Sequence, residues 1–250
     1  MEPIAYHGII GTARLAARQG SKSSRHGLRI LITLAEIFEL PLKLRSYAGK
    51  VVRRTRIKYS GHGMPESEVL QHLQALYDTP DPWRMTSPKE QFRFARTNDI
   101  LARSLIAPAR QVGSILEIGC GEGHQSEYLQ GLCAQLTGID VVSTAIERAR
   151  IRAPRVEWVI GNLQDQPWVR EGRKFDIVSA CEVLYAFRDI PKTLQLMSRL
   201  GRTCIVTYFG GAAHAVERPL RAMPLEGRES FAFDDVTWLA VWWRTTYNHV

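Results

Sequence analysis

The residues with the most chemistry in this 250-residue chain gather around three glycines. The segment Ser114-Ile-Leu-Glu-Ile-Gly-Cys-Gly-Glu-Gly-His124 runs an apolar stretch into a turn with glycines at 119, 121 and 123. Glycine lets the backbone turn tightly and lets a ligand approach the main chain. Free N–H groups where a helix then begins favour a negatively charged or carboxylate-bearing ligand. Asp140 ends Thr137-Gly-Ile-Asp-Val141, about 20 residues on, and an acid there can take both hydroxyls of a ribose. A third apolar run ends in Gly161-Asn162-Leu163. A fourth, Phe175-Asp-Ile-Val-Ser-Ala-Cys-Glu-Val-Leu-Tyr185, carries Cys181 and Glu182 at its end. Glu182 and Tyr185 therefore stand where a second substrate would meet the first ligand, and either could hold it or move its proton. His214, in Gly210-Gly-Ala-Ala-His-Ala, is a third candidate base. Plainer readings stand beside these: Glu182 as a helix-capping or surface acid, Tyr185 as core packing, His214 as a loop histidine without a role. His124 is expected to contact the ligand at the turn or solvent. No Asp/Glu/His cluster looks like a catalytic metal site, and no Cys/His spacing suits zinc.

These residues need strands to carry them. Short apolar runs predict strands over Ser114–Ile118, Gln135–Ile139, Val156–Ile160, Phe175–Ala180 and Thr203–Tyr208. Helical stretches separate most of them: Glu122–Gln130, Ser143–Arg150 and Ile190–Arg199. Alternation of this kind is the signature of a parallel sheet with crossover helices. Glu229–Phe233 and Thr237–Arg244, around Asp234-Asp235, suggest an antiparallel hairpin at the sheet edge. Residues 64–110 read as helical, with a turn at Asp78-Thr-Pro-Asp-Pro82. Three segments result: an arm (1–60), a helical cap (61–110) and an α/β domain (111–250).

Charge separates the arm from the rest. The net charge is +8, yet residues 1–60 hold twelve of the 33 Lys/Arg and three of the 25 Asp/Glu, a balance of +9. The remaining 190 residues sum to −1. Within the arm, apolar side chains at 28, 31, 34, 35, 38 and 42 approach helical spacing. Leu28–Leu44 is interrupted by Arg29, Glu36, Glu39, Pro41 and Lys43, a poor membrane span. No signal peptide is evident. Three readings are open: an amphipathic helix on an anionic membrane surface, an RNA-binding arm, or a helix packed on the catalytic domain or a dimer mate, with a basic tail. Membrane is favoured over RNA, because the arm is rich in Leu and Ile and the neutral body extends no basic track. The four cysteines, Cys120, Cys133, Cys181 and Cys204, form no CxxC pair and are expected to be reduced, as in the cytosol.

The glycine turn with Glu117 two residues before its first glycine resembles the acidic E/D-x-G-x-G form of class I methyltransferases. A nicotinamide site would want GxGxxG, and position 124 is His where that pattern needs its last Gly. Asp81-Pro-Trp-Arg-Met-Thr-Ser-Pro-Lys-Glu-Gln-Phe-Arg-Phe-Ala-Arg-Thr97, together with the glycine motif and Ser179-Ala-Cys-Glu-Val-Leu-Tyr185, resembles the NodS-like methyltransferases over roughly residues 75–210. Lys89 and Phe92 stand where relatives tend to have Tyr and Arg. The resemblance implies an α/β, Rossmann-like class I fold. Its features are a mainly parallel seven-stranded sheet, helices on both faces, a C-terminal antiparallel hairpin and a helical N-terminal extension. It implies S-adenosyl-L-methionine as methyl donor and S-adenosyl-L-homocysteine as product. The donor is expected at Glu117, Gly119, Cys120, Gly121, Asp140, Val141, Asn162, Leu163 and Cys181. The resemblance adds Trp83 and Arg93, closing the site from the cap. The family's type member N-methylates a de-N-acetylated chitooligosaccharide. The expected function is therefore N- or O-methylation of a saccharide or amino sugar in bacterial glycan or glycolipid synthesis. The expected place is the cytoplasm, on the inner face of the membrane. RNA methylation, or donor binding without catalysis, is the alternative; no NPPY-type motif supports the first. The sequence leaves the oligomeric state open.

Overall fold

The computed structural model describes residues 66–105 and 112–245. The arm expected over 1–60 lies outside them. Seven strands form one sheet: β1 (Val112–Ile118), β2 (Cys133–Asp140), β3 (Glu157–Ile160), β4 (Phe175–Cys181), β5 (Gly201–Phe209), β6 (Gly227–Phe233) and β7 (Val236–Arg244). Their order is β3-β2-β1-β4-β5-β7-β6. The first five pair in parallel, while β7 runs antiparallel to β5 and β6 antiparallel to β7. Chain order reverses beside β1, between β2 and β4, which is the switch point where open α/β sheets bind ligands outside their carboxyl ends.

Helices α1 (Glu66–Leu76) and α2 (Pro88–Ile100) precede the sheet. Then come α3 (Ser126–Leu129), α4 (Ser143–Arg152), α5 (Pro167–Arg170), α6 (Ile190–Leu200) and α7 (Ala213–Leu220). In α6 the buried residues Ile190, Thr193, Leu194, Met197 and Leu200 recur at helical spacing. They pack with Phe175, Val178, Cys204 and Val206 on one sheet face. Each such fully buried aliphatic contributes about 1.5–3 kcal/mol. Asp189 starts α6 by accepting from Lys192 N (2.9 Å), and Pro191 occupies the first turn, where its missing N–H costs nothing. Ile115, Ile177, Ile205, Trp238 and Ala240 face the other side, under Ile100 and Leu101.

Two expectations are corrected. The helix expected over Glu122–Gln130 is only Ser126–Leu129, because Gly123 has φ +78°, which breaks a right-handed helix. The stretch after β5, expected as a loop around His214, is α7, with Val216 and Leu220 buried although Pro219 lies inside it.

Helix α2 is bound to the far hairpin. Phe92 packs on Phe231 and Phe233 (centroids 6.3 and 5.5 Å). Arg96 reaches Glu229 at 2.8 Å, and Arg103 bonds the same carboxylate. Asn98 donates to Tyr128 O (2.7 Å), and the Tyr128 hydroxyl donates to Gln91 Oε1 (2.6 Å). Helix α2 is thereby fixed against the hairpin and α3.

Candidate donor and acceptor site

The glycine turn is shaped by β2 beneath it. Gly119 N and Cys120 N both donate to Ile139 O (2.8 and 3.2 Å). Gly119 and Gly121 have φ +70° and +53°. A Cβ at 119 would lie 2.3 Å from Val183, and one at 121 would lie 2.9 Å from the Tyr77 hydroxyl. Glycine is required at both by backbone and by space.

Asp140 ends β2 with its carboxylate toward the turn. Oδ2 accepts from Gly121 N (2.9 Å) and Oδ1 from Val142 N (3.0 Å). Burial pushes its pKa up, against these hydrogen bonds. A carboxylate has about four acceptor sites, so a diol can still be held. Gly161 N donates to Asp140 O (2.9 Å), which sets Asn162 and buried Leu163 beside it. Asn162 Nδ2 donates to Asp165 (3.3 Å).

The cap supplies a residue that the sequence did not single out. The Tyr77 hydroxyl accepts from Trp83 Nε1 (3.1 Å). Tyr77 packs with Val142 and Ala145, and Trp83, Leu73 and Val141 pack around them. Burial and then Asp140 push its phenol well up, so it remains protonated. Trp83 and Val141, expected near the donor, are thus brought together by Tyr77. The available signal was an aromatic at helical spacing from Leu73, just before the Asp78–Pro82 turn.

The loop from 78 to 87 is latched to the glycine turn. Asp81, at φ +47°, donates its N–H to both Glu122 oxygens (3.2 and 2.9 Å). Its carboxylate accepts from Met85 N, Thr86 N and the Thr86 hydroxyl. Glu122 also takes Arg148 (2.7 Å) and faces His124 (3.4 Å). His124 is buried here, and its Nε2 faces Glu122 and Asp81 (3.9 Å). Asp81, Glu122 and His124 do form a group, with ligand atoms within 4.8 Å of one another. Arg148 and the backbone donors already occupy its carboxylates.

Arg93 lies 2% exposed among acids. Nε donates to Glu90 Oε2 (2.7 Å) and one terminal nitrogen to Gln125 Oε1 (3.3 Å). The other faces Met85 Sδ (3.8 Å), and the guanidinium covers the Phe94 ring. Burial opposes its charge, but Glu182 and Glu90 hold its pKa above the ordinary value. Glu117, 2% exposed at the end of β1, is pushed up to about 7 by burial, against the Ser126 hydroxyl and Arg93. On β4, Cys181 is pushed up to about 12 by burial, a neutral thiol and no nucleophile. All four cysteines are free.

Glu182 follows β4 at φ +57°, a strained conformation for a non-glycine residue. Its N–H bonds Thr207 O (2.9 Å), and Oε2 accepts from Phe209 N (3.2 Å) and the Tyr185 hydroxyl (3.4 Å). Tyr185 stands edge-on to Phe209 at 5.6 Å, and burial and Glu182 push its phenol well up. His214 is exposed, with Nδ1 at Gly211 O (3.1 Å), and none of its hydrogen bonds among the described residues reaches Glu182 or Tyr185. Arg188, Asp189, Ile190, Pro191, Ala215 and Pro219 line a cleft of about 460 Å³ beyond the Leu184–Ala186 turn.

The residues fit S-adenosylmethionine. A glycine turn abuts an aspartate suited to a ribose, and buried Gln125 Nε2 has no acceptor among the described residues. Fold and site together define a class I S-adenosylmethionine-dependent methyltransferase fold. The chain belongs to the nodulation protein S (NodS) family, whose model matches residues 65–217. It is 35% identical over 131 residues to nodulation protein S of Bradyrhizobium diazoefficiens, covering 51% of this chain and 59% of the relative. It is 33% identical over 145 residues to that of Rhizobium tropici, covering 56% and 57%. The chain thus spans less than two thirds of these relatives' length. The crystal structure of N-methyltransferase NodS from Bradyrhizobium japonicum WM9 in complex with S-adenosyl-L-homocysteine matches with a TM-score of 0.58 at 24% identity, over 71% of this chain and 98% of that one.

Proposed function

We propose that this protein transfers a methyl group from S-adenosylmethionine to an amine on a saccharide. The observation that carries the reading is Glu182, held at φ +57° at the end of β4 by Phe209 N and Tyr185, next to the strand that bears the donor turn. The donor, when bound, supplies an electrophilic methyl on a sulfonium. The protein's task is then to orient a lone pair in line and to receive a proton. Glu182 orients the acceptor nitrogen and takes its proton. The raised pKa of Tyr185 makes that phenol a hydrogen-bond donor to Glu182, not a base. A hydroxyl acceptor would need a stronger base than a carboxylate that already accepts from an amide and a phenol. The 460 Å³ cleft, within the ~300–1,000 Å³ usual for small-molecule sites, admits the saccharide along Ile190, Pro191, Ala215 and Pro219.

The chain divides, on this reading, into a basic arm (1–60), a cap (61–110) and the donor-binding domain (111–250). The arm, at +9, holds a cytoplasmic enzyme at an anionic membrane surface, which suits a lipid-linked saccharide. No described helix is long and apolar enough to cross a membrane. The test is transfer of labelled methyl groups to de-N-acetylated chitooligosaccharides, N-acetylated and neutral glycans, lipid-linked glycan extract and total RNA. Label on free-amine sugars is expected. Label on RNA alone, or donor binding with no transfer, would overturn the reading.

A further inference from the structure

We propose that Gln125 recognises the methionine carboxylate of the donor, sharing it with Arg93, and that Glu90 is the positioning residue that aims the Arg93 guanidinium. The inference rests on the donor reading and goes beyond it by assigning Gln125 and Glu90.

Gln125 is 5% exposed, in the turn just past the glycines. Arg93 has donors and no acceptor, so its bond to Gln125 at 3.3 Å must be made to the amide oxygen. That fixes which way the amide points. Nε2 is then a buried donor without a partner among the described residues, a state that native proteins reserve for a reason. Arg93 repeats the pattern. Of its five N–H groups, one goes to Glu90, one to Gln125 and one to a thioether sulfur at 3.8 Å, a weak acceptor. Two are left, on a side chain only 2% exposed. An amide and a guanidinium bonded to each other therefore offer four buried N–H groups that lack an acceptor among the described residues. The group that satisfies such a set is planar, acceptor-only and anionic, which describes a carboxylate.

Placement identifies whose carboxylate it is. Asp140, Glu117 and Glu182 end β2, β1 and β4, three successive strands in the sheet. Strands lie about 4.8 Å apart, so Asp140 and Glu182 are separated by about 10 Å across the sheet. A donor with its ribose at Asp140 and its methyl directed to Glu182 must lay its amino-acid end over β1. There Glu117 offers a carboxyl to an ammonium, and Arg93 and Gln125 offer N–H groups to a carboxylate. The zwitterion is matched group for group. Glu90, 8% exposed, bonds Nε at 2.7 Å and so turns the fork of terminal nitrogens toward Gln125.

Calorimetric titration of the full chain tests this with two ligands, S-adenosyl-L-homocysteine and S-adenosyl-3-thiopropylamine, the same molecule without its carboxylate. Gln125→Glu keeps the shape and the oxygen facing Arg93 but replaces Nε2 by an oxygen. It should weaken S-adenosylhomocysteine by about 100-fold and leave the decarboxylated ligand within about threefold. Gln125→Met should weaken the first alone by about tenfold. Glu90→Gln should narrow the preference for the carboxylate by about threefold to tenfold, with binding of the decarboxylated ligand preserved. Equal loss of both ligands in both Gln125 variants would overturn the inference by making Gln125 a structural support. Unchanged affinities would overturn it too. Failure of the wild-type chain to bind either ligand would overturn the donor reading itself, a result distinguishable from the others.

Discussion

Glu182 and Glu117 share the field of one guanidinium, yet their surroundings differ. Glu182 is anchored by an amide and a phenol just past the end of β4. Its replacement by Gln keeps the hydrogen-bonding shape and removes the proton acceptor. Turnover on an amine should fall by about 10²-fold or more, while S-adenosylhomocysteine binding stays within about twofold. Unchanged turnover would remove Glu182 from the chemistry. Glu117 is governed by burial. Its folded pKa, about 7, exceeds its ordinary value of 4.5. The folded state therefore holds a proton that the unfolded chain releases between those pH values. The stability linked to Glu117 is fully present below pH 4.5 and is lost as pH rises through about 7. Glu117→Gln cannot ionise, so thermal melts of the two proteins should diverge as pH rises from 4.5 to 7, with wild type losing more. Parallel melting curves would contradict the burial argument.

Elements decide where these residues meet. β1, β4 and β5 were legible because parallel strands buried on both faces read as continuous apolar runs, and all seven strands lie within a few residues of where the sequence predicts them. The short α3 was not legible from its apolar spacing, because Gly123 takes a left-handed conformation that a glycine can adopt without announcing it. Helix α7 was hidden by two glycines at its entry and by Pro219. Contacts of long sequence separation were the least visible. Arg93 meets Gln125 across 32 residues and Asp81 meets Glu122 across 41, and no local pattern encodes either pairing. The positions of the glycine motif, Asp140 and Glu182 could be read because each sits at or just past a strand end. Tyr77 and Glu90 reach the neighbourhood of the glycine turn only through the docking of the helices before β1. That docking is testable. Phe92→Ala should cost about 2 kcal/mol, since a half-buried ring loses part of the 3–5 kcal/mol of a core phenylalanine. Glu229→Ala should cost at most about 1 kcal/mol, because its partners are exposed arginines. Both act on α2, which carries Arg93, so Phe92→Ala should also weaken donor binding. Equal melting temperatures for the two variants would show that charge, not packing, holds the cap.

At the scale of the whole molecule, charge and chemistry are divided between segments. The body carries the donor turn and the acids and sums to −1, while residues 1–60 carry +9. An enzyme whose acceptor is tethered to a lipid gains from being held where that acceptor is, since each Lys or Arg near an anionic surface contributes about 1 kcal/mol. The attraction is screened within a Debye length of about 8 Å at physiological salt and about 3 Å at 1 M. Salt therefore separates this attachment from one made by apolar insertion alone. The full chain should sediment with vesicles containing anionic phosphatidylserine and should be released as salt is raised toward 1 M. Removal of residues 1–60 should abolish sedimentation and leave S-adenosylhomocysteine affinity unchanged, because every residue assigned to the donor lies between 77 and 182. Transfer to a soluble amino-sugar acceptor should survive the truncation, whereas transfer to the same sugar on a lipid in vesicles should fall. Equal sedimentation of both forms would remove the arm from membrane attachment. Loss of donor binding on truncation would instead tie the arm to the cap.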